Sequence, residues 1–220
     1  MKDKIDTIVL PSIIPLFPLP GTTLLPRCSL PLNIFEPRYL KMVTNASNTP
    51  GKLIGMIQPL NNALEGKKPE LYTTGCVGKI EHMEHTNDNR IEIMLRGITR
   101  FRIKSELDTT TPYRQATIDF DEYKNDLEAP EHNCNINRLD LLAGLSDYLD
   151  KRGLSADYSG IEGAPDEILV NTLSMIIPFQ PSEKQALVET ESIQSRNKML
   201  LSLLKMATVT FDPSSNGEHH

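Results

Sequence analysis

Positive charge is in deficit in this chain. Its 23 Lys and Arg stand against 29 Asp and Glu, a net charge of -6. That balance excludes broad electrostatic capture of nucleic acid or of an anionic membrane surface. Cysteine is scarce too. Cys28, Cys76 and Cys134 are odd in number and far apart, so they form no disulfide framework and read as free thiols of a reducing compartment. No run approaches the ~20 apolar residues of a membrane helix. The apolar start, Met1 to Pro20, is broken by Pro11, Pro15, Pro18 and Pro20 and lacks a small-x-small cleavage site, so a cytoplasmic protein is expected. Catalytic signatures are missing. The nearest approach to a P-loop, Gly66-Lys67-Lys68, has Asn61 where the upstream glycine belongs and no hydroxyl after the lysines. Neither Gly-x-Ser-x-Gly nor His-Glu-x-x-His occurs.

What is present fits a soluble globule: 220 residues, 39% hydrophobic and 24% charged, long enough for one large domain or two small ones. The character of the chain changes near Pro130. Seven of the 16 prolines fall in the first 37 residues, which suits short edge strands and fixed turns and excludes a long helix there. Strands are predicted at Ile13 to Phe17, Leu30 to Phe35, Leu53 to Ile57, Gly75 to Met83 and Arg90 to Lys104, with a last one after Pro112. Ile91, Ile93, Leu95, Phe101 and Ile103 share one parity, and Gly97 is a candidate bulge. A helix opens at Glu36-Pro37, burying Tyr39, Leu40, Met42 and Val43. These elements predict a small, partly closed antiparallel barrel. The second half reads as helices. The first buries Ile136, Leu139, Leu142, Ala143, Ser146 and Leu149 and ends at Gly153; the second begins at Pro165. The third opens on a Ser182-x-x-Gln185 capping box, and the last runs from about Ser192 to Ala207. The expected division is a barrel over 10-125, a helical part over 131-207 and a mobile tail over 208-220, which includes His219 and His220.

Few side chains suggest chemistry. His82 and His85 are exposed hairpin residues, and His132 with Cys134 is a bare pair, so no metal site is expected. Cys28 and Cys76 lack the positive niche and positioned base of a nucleophile. Arg90, Arg96, Arg100, Arg102 and Lys104 are all even-numbered, so an ideal strand projects them on one face. That face is either a basic strip for phosphates or an ordinary solvated strand face. Glu36, Arg38 and Tyr39 cluster at the helix start, as a cap or as the rim of a binding surface. Leu19, Leu24 and Leu25 are either core or exposed binding surface.

The run Pro15-Leu16-Phe17-Pro18-Leu19-Pro20-Gly21-Thr22-Thr23-Leu24-Leu25-Pro26, followed by Leu30-Pro31-Leu32-Asn33-Ile34-Phe35-Glu36-Pro37-Arg38-Tyr39, closely resembles the opening of the Lon protease amino-terminal, substrate-binding domain. Gly75-Cys76-Val77-Gly78-Lys79-Ile80 and Leu95-Arg96-Gly97-Ile98-Thr99-Arg100-Phe101-Arg102-Ile103 resemble two of its barrel strands. Ser182-Glu183-Lys184-Gln185-Ala186-Leu187-Val188-Glu189, then Arg196 and Leu200-Leu201, resembles a segment of its helical half. The resemblance implies an α+β fold, a PUA-like antiparallel β-barrel subdomain followed by an α-helical bundle subdomain. It also implies a stand-alone, non-enzymatic module without the ATPase and protease parts, which needs no cofactor. The expected function is binding of unfolded or peptide segments of other proteins through Leu19, Leu24, Leu25, Phe35, Glu36, Arg38 and Tyr39, as an adaptor or regulator of a separate protease. The alternative is nucleic-acid binding through Arg90, Arg96, Arg100, Arg102 and Lys104.

Overall fold

The early prolines and β-branched residues produce six short or bent strands in the computed structural model, which describes residues 10-60, 68-129, 134-155 and 163-209. The chain divides into two compact units, Met1–Glu128 and Ala129–His220. In the first unit the strands are β1 (Ile13–Pro18), β2 (Ser29–Ile34), β3 (Leu53–Ile57), β4 (Thr74–His85), β5 (Ile91–Glu106) and β6 (Gln115–Asp119). They form one sheet in the order β2-β5-β4-β3-β1-β6, with β5 also pairing β6. That extra pairing closes β1, β3, β4, β5 and β6 into a ring. β5 serves both partners on one edge by its length: residues 91-96 pair with β2 and residues 102-106 with β6. All pairings are antiparallel except β1 with β3. Ile14, Leu16, Leu53, Ile57, Val77, Phe101, Ala116 and Ile118 fill the ring.

The single-parity reading of β5 needs a correction. Gly97 pairs with Gly78 but Thr99 pairs with Val77, so Ile98 is an extra residue. A bulge of one residue exchanges the faces of everything beyond it. Phe101 therefore points into the ring, whereas Leu95 packs over Gly78 on the opposite face. Helix α1 (Pro37–Ser47) begins at the proline as expected, with Tyr39, Met42, Val43 and Ala46 buried; Leu40 stays half-exposed. A 3-10 helix, Asp121–Leu127, follows β6.

The second unit holds α2 (Arg138–Lys151), α3 (Asp166–Ile176), α4 (Pro181–Glu189) and α5 (Ile193–Val209). Its core joins Leu141, Leu145 and Tyr148 of α2 to Leu169, Val170, Leu173, Ile177, Phe179, Leu187, Leu200 and Leu204. The buried stripe of α2 is thus only partly the one read from sequence: Ile136, Leu142 and Leu149 pack half-buried against this core, but the fully buried positions are others. Leucines surround that helix, two stripes satisfy the three-and-four spacing, and Leu139 ends up 78% exposed. The α4 cap also moves: Pro181 is its first residue, and the Gln180 N–H donates to Glu183 Oε2 at 2.8 Å, so the box is Gln180-x-x-Glu183. Gly153, at φ 63°, ends α2 as expected. Thr208 and Val209 belong to α5, while residues 210-220 and His132 lie outside the described residues. No described helix is long and apolar enough to cross a membrane.

Lys184 is buried at 7% exposure, and its Nζ donates to the Met175 carbonyl at 2.7 Å, near the end of α3. Desolvation holds this ammonium below the ordinary lysine value. The folded protein therefore releases the proton at lower pH than the unfolded chain does. Between those two pH values unfolding takes up a proton, so stability rises with pH. The expected result is that the urea midpoint climbs, relative to Lys184→Met measured in parallel, as the pH rises toward the ordinary lysine value of about 10.4. Parallel curves for the two proteins would refute it.

Candidate functional site

Around the start of α1 the chain builds a layered cluster. Glu36 is the extended N-cap residue, and its carboxylate turns to Arg38, whose Nε donates to Oε2 at 2.9 Å. The Arg38 guanidinium lies 4.5 Å from the centroid of the Tyr39 ring, which packs on Phe17 at 4.3 Å. The Tyr39 hydroxyl donates to the Pro18 carbonyl at 3.4 Å, and burial pushes this phenol up. Tyr39 is an anchor between α1 and the end of β1. Outside it, Phe35 is 63% exposed, with the Arg90 guanidinium 5.8 Å from its ring. Leu19 is half-buried and Arg38 exposed.

Leu24 and Leu25 are core residues, at 1% and 0% exposure, and offer no surface to a partner. Two glycines from distant strands receive them. A Cβ on Gly78 would meet Leu24 Cδ2 at 2.8 Å, and one on Gly97 would meet the Leu25 carbonyl oxygen at 2.0 Å. The loop is pinned further by Arg27 N–H to Gly97 O and Gly97 N–H to Cys28 O, both 2.8 Å.

The basic strip does not form. Arg96 pairs with Lys79 and Arg100 with Cys76, positions of opposite parity in β4, so the bulge places the two arginines on opposite faces. Arg100 is 4% exposed and grips Asp126. Arg90 pairs with Asp88, Arg102 with Glu122 and Lys104 with Asp119, at 2.8, 2.7 and 2.6 Å. Arg96 donates to Ser29 Oγ. The Lys104 ammonium holds the Asp119 carboxyl below its ordinary value, and Arg102 does the same for Glu122. Four of these five basic side chains are thus matched by a carboxylate, Arg96 being held by a hydroxyl, with little left for phosphates.

The described histidines and the thiols are not assembled into chemistry. His82 lies 3.7 Å from Glu84 in an exposed pair. No group of three or more His, Cys, Asp or Glu that could hold a metal occurs among the described residues. Cys28, Cys76 and Cys134 form no disulfide and are buried, and desolvation pushes the Cys76 thiol well up, the opposite of an activated nucleophile.

A cleft that sequence reasoning missed opens at the other end of α1. Its volume is about 470 Å³, and its walls are Pro11, Ile13, Ile14, Pro15, Ala46, Pro50 and Leu53, with Asn45, Thr49, Gly51, Tyr113 and Gln115. Strand register creates it. Residues 13-15 of β1 pair with β6, but pairing with β3 begins only at Leu16 opposite Gly55. Lys52, at φ 51°, turns the chain just before β3 and leaves the space beside Ile13 open. Ile13 is 47% exposed at its mouth, Tyr113 only 9%, and Asn45 Nδ2 donates to the Tyr113 hydroxyl at 2.8 Å. No ionisable acid or base other than that phenol lines it. The arrangement can hold an uncharged apolar group and supplies no nucleophile. Ile13 reads in sequence as an ordinary strand residue, and its flanking prolines, Pro11 and Pro15, were the available signal.

Comparison with known proteins gives a family model described as the ATP-dependent protease La (LON) substrate-binding domain, matching residues 13-206. Among curated relatives, the Lon protease of Dictyoglomus thermophilum is 23% identical over 199 residues, 85% of this chain and 23% of its own. Lon protease 2 of Myxococcus xanthus is 25% identical over 199 residues, 89% of this chain and 24% of its own. The chain thus spans about a quarter of the length of these relatives. Two solved structures share the fold. The Lon N-terminal domain protein of Xanthomonas campestris superposes with a TM-score of 0.60 at 22% identity, covering 86% of this chain and 97% of that one. The N-terminal domain of Mycobacterium avium complex Lon protease gives 0.59 at 14%, covering 88% and 98%.

Proposed function

Because this chain belongs to the family of ATP-dependent protease La (LON) substrate-binding domains, we propose that it works by holding unfolded or peptide segments of other proteins and makes or breaks no covalent bond itself. In this reading it serves as a recognition module, an adaptor or regulator for a hydrolytic enzyme carried elsewhere. The observation that supports it is the match of the family model over residues 13-206. The uncharged cleft is in keeping, since apolar walls suit side chains that only an unfolded client exposes. Phe35, with Glu36 and Arg38 beside it in sequence, and half-buried Leu19, which follows the Pro18 that Tyr39 holds, are further accessible groups for such segments. Affinity is expected to be weak, because a surface that accepts many sequences is optimised for none of them.

The test uses the whole chain and one fluorescein-labelled client in two states, native and reduced-carboxymethylated. The expected result is an anisotropy rise at micromolar protein with the unfolded client only, together with slower aggregation of the unfolded client in light scattering. Equal response to both states, or none to either, overturns the reading.

A further inference from the structure

We infer that the cleft beside Ile13 is the seat for an extended, uncharged stretch of polypeptide, which lies along the open edge of β1 and sinks an aliphatic or prolyl side chain between Pro11, Pro15, Pro50 and Leu53; this inference rests on the recognition role proposed above. The backbone points there first. The Ile118 N–H donates to Ser12 O at 2.9 Å and the Leu16 N–H to Arg114 O at 2.8 Å, so the even residues of β1 turn their polar groups to β6. Odd residues face the β3 side, as the Leu19 N–H shows by donating to Ile57 O at 3.0 Å. The Ile13 N–H therefore points into the gap where β3 has not begun. Gly51, whose carbonyl would have to receive it, accepts no such bond among the described residues.

Side-chain groups agree with the backbone. Tyr113 is nine-tenths buried in the cleft wall and accepts from Asn45, which leaves its own hydroxyl proton available. Asn45 Oδ1 likewise has no donor among the described residues. The cleft thus offers the Ile13 N–H and the Tyr113 O–H as donors and Asn45 Oδ1 among its acceptors, in an apolar surround without formal charge. Polypeptide backbone matches that set. One residue of an extended chain presents its C=O and N–H to the same side, and neighbouring carbonyls follow at alternate positions. A hydrocarbon would leave the donors unanswered, and a charged side chain would lose hydration with no partner. A volume of about 470 Å³ falls within the range of sites that enclose small ligands. The mode is strand addition, with main-chain bonds for affinity and the cleft for side-chain choice.

The experiment titrates the whole, 15N- and Ile-methyl-labelled chain with the uncharged probe acetyl-Ala-Leu-Val-Leu-Ala-amide, followed by NMR, alongside the unfolded-client binding assay. The probe is expected to shift the Ile13 amide and methyl signals. Ile13→Asp should weaken it by about tenfold or more, and Tyr113→Phe, which keeps the ring, by about threefold. An acidic probe with Asp for both leucines should not bind. Probe shifts confined to residues away from the cleft overturn the inference. So does full client binding by Ile13→Asp, which leaves the recognition role standing with another seat. Probe binding in the cleft without client binding supports the seat and removes the role. If Ile13→Asp instead changes the oligomeric state of the free protein, a second copy occupies the cleft and the peptide occupant is wrong. Should Ile13→Asp fail to fold, the Ile13 amide shift and Tyr113→Phe decide.

Discussion

Asp126→Ala is expected to destabilise the barrel unit by about 3–5 kcal/mol, the cost of stranding a buried charge whose partner is removed. Arg100 is 4% exposed, and its Nε and Nη2 donate to Asp126 Oδ2 and Oδ1, each at 2.9 Å. The Arg100 backbone N–H reaches Oδ2 at 2.9 Å as well, so one carboxylate serves three donors. Tyr123 closes the far side, its ring centroid 4.3 Å from the guanidinium. Without the carboxylate the guanidinium must either rehydrate, opening the 3-10 helix over it, or stay buried at full desolvation cost. Arg27 also donates to the Asp126 carbonyl at 2.9 Å, so the same movement loosens the loop that carries Leu24 and Leu25. The measurement is urea unfolding followed by far-ultraviolet circular dichroism, with Asp126→Asn as the milder partner. A loss under about 1 kcal/mol, the range of an exposed pair, would mean that Arg100 finds water without effort.

Gly97→Ala is the second large effect, and it acts through distance rather than backbone dihedral. A methyl carbon there would stand 2.0 Å from the Leu25 carbonyl oxygen and 2.8 Å from its carbon. Both are main-chain atoms, which cannot turn aside as a flexible side chain does. The loop must lift, and with it the two 2.8 Å bonds that join it to β5. The expected loss is about 3 kcal/mol, the upper end of ordinary overpacking. Gly153→Ala is the control. Gly153 has nothing within 4 Å of the added carbon and a φ of 63°, so only conformational strain of about 1 kcal/mol is expected. The chain lacks tryptophan, so tyrosine fluorescence or circular dichroism must follow both unfolding curves. If Gly97→Ala costs no more than Gly153→Ala, the close approach of loop and strand is wrong.

The order of elements was legible because it depends on local signals. Pro37 opens α1, Gly153 ends α2, and the fully buried run Leu53–Ile57 is one strand. What escaped depends on residues distant in sequence. Leu24 and Leu25 are ambiguous until Gly78 and Gly97 are known to lie against their loop. The basic strip looked continuous because parity carries along a strand only while no residue is inserted, and Ile98 is such a residue. Gly97 hinted at a bulge, but not that Arg96 and Arg100 would part. On α2, leucines around the whole helix made two buried faces equally periodic, and only the packing of α3 and α5 chooses Leu141, Leu145 and Tyr148. The cleft was invisible for a related reason. It is a gap left by a register difference between two pairings of β1, marked locally only by Pro11 and Pro15, which have no N–H to give a neighbouring strand.

The closed ring also governs the order in which this protein can fold. Its last seam joins Ile14 to Ala116 and Ile13 to Thr117, partners about a hundred positions apart. Hairpins such as β4-β5 form from near neighbours, but the seam must wait for the whole of that intervening chain. Until it closes, β1 presents a bare edge to any passing strand, its own or another molecule's. A newly made chain that has not yet reached Gln115 is therefore at its most adhesive, and the return of β6 is the event that makes it safe.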